Sequence, residues 1–140
     1  MEDGAKWHWA EGMKYAVEAI KAQFILNGAA AVSTLTFIGN AKIQSVSLIY
    51  AMVCFAIGAL MAAFTQWAAY LTQLHYGNAF QHPPSDAVRQ DKWAVAVRWH
   101  YAAYFCALLG LLLFLAGICC AAVGLWPNGV SATLNCPPAR

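Results

Sequence analysis

The chain has 140 residues, 61% of them hydrophobic and 10% charged, with a net charge of +2. A water-soluble domain of this length carries about a quarter charged residues, so a soluble fold would leave large apolar patches uncovered. The net charge is too small, and the eight Lys and Arg too scattered, to suggest a nucleic-acid partner.

Taken in chain order, residues 1–21 are rich in charge and show no cleavage site after a short apolar core. The first span is therefore expected to act as the insertion signal. Within this segment Trp9, Met13, Ala16, Val17, Ile20 and Phe24 recur at helical spacing, opposite Glu11, Lys14, Glu18 and Lys21. The pattern predicts an amphipathic helix, either an interfacial anchor or a docking arm.

Residues 22–39 form an uncharged stretch of 18, near the lower limit for crossing a bilayer. Gln23, Asn27, Ala30 and Thr34 line up on one helical face, with Gly28 and Ala31 beside them. Such side chains bond across membrane helices for about 0.6 to 2 kcal/mol each. The stripe is either glue within one chain or the lining of a wet path in an oligomer.

Gly39, Asn40, Ala41 and Lys42 predict a tight turn into a second span over 46–71. Here Ala51, Gly58 and Thr65 repeat every seven residues, interleaved with Phe55, Ala62 and Ala69. Gly77-Asn78 and Pro83-Pro84 predict its end. Ser85 is the expected N-cap of the next helix, with Asp86 as its first-turn acid.

The third span, 101–126, has no charged side chain and carries a seam of Ala103, Gly110, Gly117 and Gly124. Ala107, Phe114 and Ala121 complete that seam. Small residues let backbones approach in lipid, and a sevenfold repeat keeps the seam on one partner. Trp126-Pro127 stops the helix, leaving a tail over 127–140. The fold class is thus all-α, an integral membrane domain over 22–126 preceded by the amphipathic helix.

Three crossings put Lys6, Lys14, Lys21, Arg89, Lys92 and Arg98 on one side, against Lys42 and Arg140 on the other. The positive-inside rule then predicts a cytoplasmic N-terminus and an outer C-terminus. Trp7, Trp9, Trp93 and Trp99 on the first side and Trp126 on the second suit the headgroup layers.

Chemistry is harder to find. No Asp or Glu lies in a span, and no phosphate loop, HExxH, CxxC or GxSxG motif occurs. Cys54, Cys106, Cys119 and Cys120 lie in apolar runs, and only Cys136 lies in the polar tail. That is no disulfide framework. His75 and His100 end and begin neighbouring helices and are the candidate haem or metal pair, with His8 and His82 on the same side.

The stretch Leu26-Asn27-Gly28-Ala29-Ala30-Ala31, followed by Leu35, Phe37 and Gly39, resembles a motif of small uncharacterised bacterial inner-membrane proteins with three spans. The resemblance implies that membrane setting and transfers no activity. The expected function is a non-enzymatic subunit, without a resident cofactor, that self-associates or joins other membrane subunits in the bilayer. Its expected interface residues are Gln23, Asn27, Gly28, Thr34, Gly58, Ala62, Gly110, Gly117 and Gly124. The alternatives are an oligomeric pore former of holin or defence type, and a haem or redox anchor using His75 and His100.

Overall fold

A computed structural model describes the backbone of residues 2–41, 45–83 and 85–126, and the side chains of these residues from Met13 onward. Three helices account for the fold: α1 (Glu2–Ala41), α2 (Val46–Phe80) and α3 (Ala87–Leu125). Among the described residues there is no strand, and each helix is long and apolar enough to cross a membrane.

The helices outrun their apolar spans. The 35 residues of α2 extend about 52 Å at about 1.5 Å each, against a hydrocarbon core of about 30 Å. The excess lies at one end. There α1 begins at Glu2, α2 continues past Leu71 to Phe80, and α3 starts at Ala87, well before Tyr101. Residues 2–21 are therefore the first half of α1, continuous with the first span.

Two predicted boundaries shift, each for a local reason. Gly77-Asn78 does not end α2, because Tyr76 and Phe80 pack on Trp93 with ring centroids 4.7 and 5.9 Å away. The helix stops before His82, where the following proline disfavours helical backbone. The N-cap of α3 is Asp86 rather than Ser85: its carboxylate accepts from Val88 N–H at 2.9 Å. The same carboxylate lies 3.2 Å from His82 Nδ1, and Arg89 donates to the His82 carbonyl at 3.2 Å. At the opposite end, α1 runs through Gly39 and Asn40 to Ala41. Lys42 and the 127–140 tail, with Cys136, lie outside the described residues.

The centre of the bundle is α2, which packs on both neighbours, while α1 and α3 scarcely meet. Its buried positions are Leu48, Ala51, Phe55, Gly58, Ala62, Thr65, Ala68, Thr72 and Ala79. Most are spaced alternately by three and four, the seam of a left-handed antiparallel pair. The α3 glycines face it. A Cβ on Gly117 would sit 2.5 Å from the Phe55 ring, and one on Gly124 would sit 2.9 Å from Leu48. Phe55 and Phe114 then fill the gap, 5.6 Å apart.

Both predicted seams thus face each other within one chain. Gly117→Ala is expected to destabilise the bundle by about 1–3 kcal/mol through overpacking. Gly28→Ala, with nothing within 4 Å of the new methyl, is expected to be neutral or to gain up to about 1 kcal/mol of helix propensity. Denaturation by sodium dodecyl sulfate in mixed micelles, followed by circular dichroism, measures both.

Candidate functional site

The inward face of α1 carries Met13, Ile20, Gln23, Asn27, Thr34 and Ile38, each at least partly covered. Phe24, expected on the apolar face, is 50% exposed and faces lipid. Gln23 donates from Nε2 to the Ala107 carbonyl of α3 at 3.0 Å, a bond across two helices that otherwise stand apart. Asn27 is 0% exposed and donates from Nδ2 to the Gln23 carbonyl at 3.0 Å.

Glycines make room for these amides. A methyl on Gly58 would overlap the Asn27 side chain, and one on Gly110 would overlap Gln23 Nε2. The Gly58 carbonyl oxygen lies 3.3 Å from that same Gly110 methyl position. Gln23, Asn27, Gly58 and Gly110 therefore form one node where all three helices meet. Asn27 Oδ1 is buried there without a hydrogen-bond partner, a cost of about 1–3 kcal/mol in an apolar site.

The other expected interface residues divide. Ala62 is buried in the α2 seam, and Gly117 and Gly124 lie against Phe55 and Leu48. Thr34 donates to the Ala30 carbonyl of its own helix at 2.7 Å, and Gly28 faces open space.

The antiparallel register sets Phe55 beside Gly117, Trp67 beside Trp99 and Tyr76 beside Trp93. By that register His100 lies level with Ala69, and His75 lies further toward the connecting loop, about 9 Å along the axis at about 1.5 Å per residue. The His100 ring stands edge-on to Tyr104 at 4.8 Å. Nδ1 of His75 is buried without a partner. Among the described residues no group of three His, Cys, Asp or Glu side chains could hold a metal ion. Cys54, Cys106, Cys119 and Cys120 are free thiols.

One face went unnoticed in the sequence. Ala29, Ser33, Thr36 and Asn40 all lie exposed on the outer side of α1, where Thr36 donates to the Val32 carbonyl at 2.8 Å. Their spacing of four, three and four was the available signal. Ser33 and Thr36 count in hydropathy only as weak points of the span, which hides their shared direction.

An all-α bundle of three crossing-length helices, with Phe24, Leu35, Leu60, Phe105 and Leu112 exposed around it, is a small integral membrane protein. No protein family, no curated protein and no solved structure matches the chain.

The node makes a thermodynamic cycle informative. Gly58→Ala is expected to cost about 1–3 kcal/mol by displacing the Asn27 amide. In an Asn27→Ala background the same change should cost much less, giving a coupling of about 1–2 kcal/mol in the same unfolding assay. Additive effects would mean that the two residues do not meet.

Proposed function

We propose that this chain is a non-enzymatic membrane subunit that self-associates through the outer face of α1. The observation that carries the reading is the exposed row Ala29, Ser33, Thr36 and Asn40. Hydrocarbon offers the Ser33 and Asn40 side chains no hydrogen-bond partner, and Thr36 has only the Val32 carbonyl of its own helix, whereas a neighbouring helix offers more, and small side chains let it come close. The α2 and α3 seams are already occupied by each other, so this row is the adhesive surface left over. A second copy presents the same row, which suits a two-fold interface.

The setting proposed is a bacterial inner membrane with the N-terminus in the cytoplasm. The excess of Lys and Arg at the end that holds the N-terminus and the α2–α3 loop supports that orientation, and the resemblance of residues 26–39 supports the membrane.

Disulfide cross-linking in native membranes tests the association. Ser33→Cys is expected to yield a covalent dimer, and Val53→Cys, exposed on α2, is expected not to. Thr36→Leu in the Ser33→Cys background should reduce the dimer several-fold, a change of about 1 kcal/mol. A monomeric mass by light scattering, with no cross-link from Ser33→Cys, would overturn the reading. Cross-linking of Ser33→Cys to a different polypeptide would replace self-association by membership of a mixed complex.

A further inference from the structure

The first half of α1 is held less firmly than the second. From the Gln23–Ala107 bond toward lower-numbered residues it has α2 as its neighbour and scarcely meets α3. There Met13, partly covered on the inward face, meets Gln73 of α2. The Gln73 amide donates from Nε2 to Met13 Sδ at 3.9 Å. A thioether sulfur is a weak acceptor, and the separation exceeds the about 2.9 Å of an N–H···O bond. A good donor is thus aimed at a poor acceptor.

Depth decides which methionine water reaches. Gln73 lies past Leu71, where the second apolar span ends, and past the exposed rings of Trp67 and Tyr70. Such rings suit the headgroup layer. Gln73 is itself exposed, and Met13 is partly so. Met52 and Met61 lie inside the span 46–71, and Met1 lies outside the described residues. Among the described methionines, Met13 is therefore the one at the wet end of the bundle, where a water-borne oxidant arrives.

We propose that Met13 is an oxidation site whose sulfoxide clamps the first half of α1 to α2 through Gln73. The oxidant is a peroxide. A lone pair of the Met13 sulfur attacks one oxygen of hydrogen peroxide, and the O–O bond breaks. The sulfur loses two electrons to the peroxide. The departing hydroxide takes the proton of the transferred oxygen and leaves as water, so the products are sulfoxide and water.

The new oxygen carries the negative end of the S–O dipole. Added on the lone pair that faces Gln73, it brings a strong acceptor into the reach of an amide that already points there. In a sealed apolar core a sulfoxide disrupts packing. Here Gln73 supplies a donor and the open side supplies water. Reduction of the sulfoxide restores the thioether, which releases the clamp. The inference does not depend on self-association, which uses the opposite side of α1.

The test is hydrogen exchange on the full chain in phosphatidylcholine nanodiscs, before and after dilute hydrogen peroxide, read by peptide mass spectrometry. One added oxygen is expected on Met13, with Met52 and Met61 oxidised about ten-fold less. Amides of residues 14–22 are expected to exchange about five-fold more slowly in the oxidised protein, equivalent to about 1 kcal/mol. Gln73→Leu should remove that slowing while Met13 is still oxidised. Met13→Leu should make exchange insensitive to peroxide. Unchanged or faster exchange in the oxidised wild-type protein would overturn the proposal, as would slowing that persists in Gln73→Leu. Preferential oxidation of Met52 or Met61 would also overturn it.

Discussion

Three backbones converge where Gly58 of α2 meets Gly110 of α3 and the amides of α1, and the remaining geometry follows from that approach. In lipid there is little hydrophobic force to press helices together, so contact depends on close packing and on polar groups that lipid cannot satisfy. Glycine at both positions removes the methyls that would hold α1 and α3 away. Gln23 and Asn27 then enter the space left, and Gln23 reaches across to the Ala107 carbonyl. A buried acceptor on Asn27 remains unpaired, and the packing around it has to outweigh that cost.

Because α1 and α3 are joined at this one level, their divergence elsewhere is a consequence rather than a separate feature. Above the node, toward the lower-numbered residues of α1, the walls carry alanine at several positions, among them Ala16, Ala69 and Ala103. The same helices exceed the bilayer thickness, and all their excess lies on that side. Their outer turns are held by rings instead of glycines: Trp67 on Trp99 at 5.3 Å and Tyr76 on Trp93 at 4.7 Å. One end of the α2–α3 pair is therefore closed by glycines packed against the Phe55 and Leu48 side chains, and the other is held by aromatic rings.

Much of this was legible in the sequence, because period and composition act locally. The sevenfold recurrence of Gly110, Gly117 and Gly124 announces a seam, and its partner seam on Ala51, Gly58 and Thr65 has the same repeat. What the repeat does not state is the partner's identity, since a copy of the chain and the adjacent helix look alike in one dimension. The register resolves it: Phe55 fits against Gly117 and Leu48 against Gly124. Helix ends were less legible. Gly77-Asn78 reads as a stop by propensity, but the rings of Tyr76 and Phe80, one residue before and two after the expected break, pack on Trp93 and hold the helix together, and tertiary contact overrides a weak local preference.

The two polar faces of α1 differ in how legible they are for a related reason. Gln23, Asn27 and Thr34 are conspicuous because amides in a bilayer are costly, so they drew the expectation of glue within the chain or of a wet path between chains. Cost, however, argues for satisfaction inside the chain, where a partner is always present, and Gln23 and Asn27 both turn inward. Ser33 and Thr36 are cheaper in lipid, since a hydroxyl can bond to a carbonyl one turn back, as Thr36 does. A helix can therefore leave such residues on its lipid face while it waits for a partner, which an amide like Asn27 could not do as easily. The less conspicuous face is for that reason the better candidate for contact between molecules.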